Sequence, residues 1–147
     1  MSEKIMKILR KQTKRVFCLI DGAILESLSP LSIKLLLEQI KQLGSIRKSI
    51  VFFDSQLAPE VYEMYLSRGF SPKIVPSDKD VNITLESLDV ANSQQVDIIC
   101  IGVKDDSLLP VVIKLRETID ILLISPTKTI AKSYLPYSDY IISLDEL

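Results

Sequence analysis

Two apolar runs that stop at aspartates constrain this chain more than any other feature. Residues 16–20 are Val, Phe, Cys, Leu and Ile, followed by Asp21 and Gly22; residues 96–103, apolar but for Asp97 and Gly102, lead to Lys104, Asp105 and Asp106. Continuous β-branched and aliphatic runs of this length read as strands buried on both faces, which is the habit of a parallel sheet. A carboxylate just beyond such a strand sits on the sheet rim, where open α/β folds keep their chemistry. Two strand-end acids at one crevice, in a chain with no histidine, point to a divalent metal and a phosphate-bearing substrate.

The rest of the sequence alternates in the same way. Ser29 and Pro30 form an N-cap and first helical position for a helix over 31–43, which Gly44 stops. A strand over 50–53 ends at Asp54; a helix from Pro59 to Arg68 is closed by Gly69; a short strand over 73–75 lies between prolines, as an edge strand would. A helix over 78–93 precedes the strand at 96–103. A helix over 107–118 with Pro110 in its first turn, a strand over 121–124, a short helix over 129–134 and a strand over 140–144 complete the chain. This order predicts a three-layer α/β/α domain over 16–147 with a mostly parallel sheet of five to six strands. No repeat, linker or low-complexity tract interrupts it.

Composition narrows the function classes. At 147 residues and 47% hydrophobic content, the chain fits one domain with a full core. Without tryptophan and with few aromatics, it is not expected to carry an aromatic base-stacking platform of the single-strand-binding kind. Cys18 and Cys100 lie inside strand runs, have no metal-ligand spacing, and read as small buried hydrophobes. No secretory signal or membrane-length apolar stretch is seen, so the expected setting is a soluble protein of a reducing compartment, most simply the cytoplasm.

Charge is unevenly spread. Lys4, Lys7, Arg10, Lys11, Lys14 and Arg15 stand against Glu3 in residues 1–15, although the whole chain has a net charge of −1. This basic arm on an acidic body is a candidate for RNA phosphate contact, through Lys11, Lys14 and Arg15 above all. The competing reading is a solvated amphipathic helix with Ile5, Ile8 and Leu9 as its apolar stripe.

Each candidate acid also has a structural reading. Asp21-Gly22 is common turn chemistry, any of Asp105, Asp106 and Ser107 can cap the following helix, and Lys104 either binds a phosphate oxygen or neutralises its neighbours. Asp54 ends its strand as Asp21 does and is a further rim candidate. On the helix from residue 80, Asn82, Glu86 and Asp89 share one strip opposite Thr84, Ser87 and Ala91. If the small residues face solvent, the acids face the rim; if they pack on the sheet, the acids face water.

Several chemistries fail on their residues. The segment 19–27 is similar to the first motif of haloacid-dehalogenase-type phosphatases, but Leu19 stands where their nucleophilic aspartate must be. A dinucleotide site would need a glycine-rich turn where only Gly22 is found, a P-loop is missing, and histidine-assisted nucleophiles are excluded.

The ordered motifs resemble the NYN domains, relatives of the PIN-domain ribonucleases, and their small archaeal-type DUF88-like members in particular. The likeness covers nearly all of 16–144: a strand ending Asp21-Gly22, the passage Arg68-Gly69-Phe70-Ser71-Pro72, the step Lys79-Asp80-Val81-Asn82, the strand leading to Asp105-Asp106-Ser107-Leu108-Leu109-Pro110, and Ser138-Asp139-Tyr140-Ile141. The resemblance implies first and fourth strands side by side, with Asp21 and Asp105 across one crevice. It implies one or two Mg²⁺ or Mn²⁺ ions activating water for attack on an RNA phosphodiester. In that role Asp21 and Asp105 ligate metal, Asp106 with Asp89 or Glu86 completes the shell, Asn82 orients a water, and Lys104 with the N-terminal arm steers RNA. The sequence departs from the family at Ile24, Asn82, Leu88 and Ser107, where the motifs carry oxygen ligands or acids. A cluster so eroded binds cations weakly or not at all. The alternative is therefore a catalytically degenerate domain that binds RNA or a protein partner, homodimerisation included.

Overall fold

A computed structural model describes residues 14–147. Residues 1–13, and with them the site candidate Lys11, lie outside the described residues.

The sheet has six strands: β1 (Arg15–Asp21), β2 (Ser45–Phe53), β3 (Ser71–Ile74), β4 (Ile98–Gly102), β5 (Asp120–Ser125) and β6 (Tyr140–Ser143). Their order is β3-β2-β1-β4-β5-β6 and all five pairings are parallel. Among the described residues five α-helices accompany them: α1 (Pro30–Lys41), α2 (Pro59–Ser67), α3 (Lys79–Asn92), α4 (Leu109–Arg116) and α5 (Lys128–Ala131). The parallel three-layer architecture expected from the sequence is the one observed.

Strand alternation divides the core in two. Val16, Cys18, Ile20, Val51, Phe53, Ile98 and Cys100 pack with Ile33, Leu36, Leu37 and Ile40 of α1 and Tyr65 of α2. On the opposite face Leu19, Ile50, Phe52, Ile99 and Ile101 pack with Ile83 and Val90 of α3 and Val111, Val112 and Leu115 of α4. Burial on both faces explains why the central strands are apolar without alternation. β1 feeds β2 on one side and adjoins β4 on the other, with Ile20 opposite Gly102. The topology reverses there, which opens a crevice at the carboxyl ends of β1 and β4.

Three elements differ from the sequence-based expectation; one is β3, which starts at Ser71 and holds Pro72 within the edge strand rather than before it. β2 starts at Ser45 rather than at residue 50, because the Ser45 N–H donates to the Lys14 carbonyl at 2.8 Å and extends the ladder through the exposed Arg47 and Lys48. A bulge between Val16 and Phe17 absorbs Arg47, since Val16 is paired with Ile46 and Phe17 with Lys48. The expected helix over 129–134 is four residues of α5 followed by a 3-10 segment, Lys132–Tyr137, that accommodates Pro136.

Candidate functional site

Asp21 is the last residue of β1 and has no solvent exposure. A carboxylate so buried is costly unless paired and hydrogen-bonded. Two donors meet it: the Ala23 N–H at 3.0 Å, which closes an Asx turn, and the Lys79 ammonium at 2.8 Å. The turn and rim readings of Asp21 thus hold together. Gly22 is required by a close approach, because a Cβ there would run into the Phe53 ring and come within 2.7 Å of the Phe52 carbonyl oxygen.

Lys79 is the first residue of α3 and is almost fully buried. A cation at a helix N-terminus opposes the macrodipole, so its presence calls for compensating acids. Asp21 supplies one; Asp54, just past β2, supplies another at 3.1 Å. Burial draws the ammonium pKa down, but the hydrogen bonds from Lys79 to Asp21 and Asp54 outweigh it and hold the group above its ordinary range. The preceding Asp78 takes a left-handed backbone at φ 55°, a conformation uncommon outside glycine, asparagine and aspartate, as the chain turns into the helix.

Asp105 belongs to the same rim but is otherwise engaged. Its Oδ1 accepts from the Ser107 N–H at 2.9 Å, so it caps the 3-10 turn Asp106–Leu108, and hydrogen bonding from Ser107 holds its carboxyl below the usual carboxylate range. Its carbonyl accepts from the hydroxyl of the fully buried Tyr134 at 2.6 Å. Burial foremost, with the nearby Asp106 charge next, pushes that phenol well above the ordinary tyrosine range. The Ser107 hydroxyl donates to Asp80 Oδ2 at 2.9 Å, which ties the Asp105 turn to the residue after Lys79. Asp106 is exposed. Asp54, Asp78, Lys79, Asp80 and Lys104 line an open cleft of about 530 Å³ at this rim.

The remaining candidates do not join the group. The Asn82 amide donates to the carbonyls of Asp78 at 3.0 Å and Ser77 at 3.4 Å, pinning the turn that leads into α3. Ser87 is fully buried and its hydroxyl bonds the Thr84 carbonyl, so the small residues of α3 pack on the sheet and Asp89 faces water. Glu86 and Asp89 lie roughly 10 and 15 Å along the helix from Lys79. Ile24 and Leu88 belong to the two apolar clusters. Lys14 and Arg15 lie at the other end of β1, about 20 Å from Asp21, where Arg15 is bound to Asp97. The structure therefore separates Lys104 from Lys14 and Arg15.

Two buried carboxylate oxygens at the rim, Asp21 Oδ2 and Asp80 Oδ1, have no partner among the described residues. Against them stands the donor set. No three His, Cys, Asp or Glu side chains among the described residues come together as a metal-binding group, and an ammonium occupies the cation position beside Asp21. These residues do not fit the divalent ion that the motifs implied. Lys79 was visible in the sequence only as part of a motif; a lysine opening a helix, against the dipole, was the signal that it had an acidic partner.

The sequence matches the family model described as NYN domain over residues 15–145. An uncharacterised protein of Methanocaldococcus jannaschii is 24% identical over 139 residues, which is 93% of this chain and 58% of the relative. The chain thus spans little more than half of that relative's length. The crystal structure of a protein of unknown function from Vibrio parahaemolyticus superimposes with a TM-score of 0.72 at 12% identity, over 92% of this chain and 95% of the other. That likeness shows a shared fold. No helix among the described residues is long and apolar enough to cross a membrane.

Proposed function

This chain belongs to the NYN domain family, usually nucleases of the PIN-like superfamily, and on that premise we propose that it is a metal-independent binding module of RNA metabolism whose acidic crevice no longer hydrolyses phosphodiesters. The observation that carries this reading is the Lys79 ammonium 2.8 Å from Asp21 and 3.1 Å from Asp54. An internal monocation neutralises Asp21 but is no Lewis acid, so it cannot lower the pKa of a bound water as a divalent ion does. Ile24, Asn82, Leu88 and Ser107 at the motif positions support the same conclusion. Asp105 is committed to capping.

A calorimetric Mn²⁺ titration with an RNA-binding assay in chelator tests it. The reading expects no saturable Mn²⁺ heat and RNA retention unaffected by EDTA. Stoichiometric Mn²⁺ binding with cleavage of single-stranded RNA, both lost in Asp21→Asn/Asp105→Asn, would overturn it. That outcome defines the second reading, a Mg²⁺- or Mn²⁺-dependent endoribonuclease, which draws on the unpartnered Asp21 Oδ2 and Asp80 Oδ1.

A further inference from the structure

The crevice is a poor place to receive a polyanion. Asp54, Asp78 and Asp80 line it with two cations, Lys79 and Lys104, and Lys79 is ion-paired with Asp21 and Asp54. The opposite end of the sheet is basic along β1 and β2, while Asp97, Asp120 and Asp139 stand at the starts of β4, β5 and β6. Lys14 leads into β1; Arg47 and Lys48 stand on the first half of β2, exposed, and β3 does not cover them because its pairing with β2 begins only at Ile50. None of Lys14, Arg47 and Lys48 has an ion-pair partner among the described residues. The bulge opposite Val16 and Phe17 turns Arg47 out of the ladder. The result is a cleft of about 460 Å³ lined by Arg15, Phe17, Arg47 and Gln95. Lys48 is in register with Phe17, on the same face of the sheet.

We propose that this amino-end cleft, lined by Arg15, Phe17, Arg47 and Gln95 and flanked by Lys48 in register with Phe17, is a docking surface for single-stranded nucleic acid. The inference rests on the binding-module reading above and gives it a place on the molecule. Arg47 and Lys48, without an ion-pair partner among the described residues, supply phosphate contacts, the partly buried Phe17 ring offers an edge for stacking, and the Gln95 amide offers both a donor and an acceptor to a base edge. An acidic protein segment would use the cations but has no need of the ring.

Fluorescence anisotropy of the full chain with a labelled oligouridine, and with the matching DNA strand, tests the assignment. Arg47→Gln/Lys48→Gln is expected to weaken binding about tenfold at moderate salt and to reduce the slope of log K against log salt by about 1.4, the loss of two phosphate contacts. Phe17→Leu, which keeps an apolar side chain but removes the ring, is expected to weaken binding without changing that slope. Lys104→Gln is expected to bind as the parent does. The assignment is overturned if Lys104→Gln is the damaging change, if the Arg47/Lys48 variant binds unchanged, if Phe17→Leu has no effect while polyglutamate competes as well as RNA, or if the parent binds neither strand. Loss on Arg47/Lys48 substitution together with stoichiometric Mn²⁺ binding would keep this surface and discard the metal-independent reading. EDTA-resistant RNA binding indifferent to Arg47 and Lys48 would do the reverse.

Discussion

The ammonium of Lys79 lies 2.8 Å from the carboxylate of Asp21, and both side chains are withdrawn from solvent. The pair joins the end of β1 to the start of α3, two segments that the sequence holds nearly sixty residues apart.

Breaking that pair on one side leaves a buried charge without a counter-charge, which costs about 3–5 kcal/mol in comparable sites. Lys79→Met is expected to lose stability in that range by urea denaturation. Lys79→Met/Asp21→Asn is expected to recover most of it, because an uncharged pair needs no compensation.

Metal should act on the variant and not on the parent. The melting temperature of the parent is expected to be the same in EDTA and in millimolar Mn²⁺. Lys79→Ala, which frees Asp21 and Asp54 for a cation, is expected to be stabilised by Mn²⁺ in thermal scans, since a ligand that binds only the folded state raises its stability.

The alkaline limb of the stability curve follows from the same pair. Lys79 has a folded-state pKa raised above the ordinary 10.5. Its contribution is therefore fully present below about pH 10.5 and is lost as pH rises through the folded value. The Asp97 and Asp105 carboxyls are held low, Asp97 chiefly by Arg15 and Asp105 by Ser107, so their contributions are present above the ordinary 3.8 and lost as pH falls through the depressed values. Unfolding monitored against pH should show the alkaline loss in the parent and a flatter alkaline limb in Lys79→Met.

Gly22→Ala places a methyl against the Phe53 ring and the Phe52 backbone oxygen. Overpacking of this kind costs about 1–3 kcal/mol, and the variant is expected to show it in chemical denaturation, whereas Gly69→Asn, at φ 90° with open space around it, is expected to be tolerated.

Cys18 and Cys100 are register partners on β1 and β4, both fully buried. Burial first, and contact with Cys18 second, raise the Cys100 thiol well above its ordinary 9.0. Neither thiol is expected to react with a disulfide reagent at mildly alkaline pH in the folded protein, and both should react once urea unfolds it.

The sequence by itself determined the layered parallel sheet, because residues such as 98–101 are apolar without alternation and only a strand covered on both faces makes that favourable. It also determined the start of α1, through Ser29 as cap and Pro30 at the first position, since capping is a local interaction. Tertiary structure decided the rest. β2 reaches back to Ser45 because β1 offers it a ladder. Asp89 turned to water because Ser87 lets α3 lie close to the sheet. Most of all, the fold placed Lys79 beside Asp21 and put Lys14 and Arg15 at the far end of the same strand from Lys104. Charge identity is written residue by residue, but whether a charge meets a metal, an ammonium or water depends on distances that only the closed fold sets.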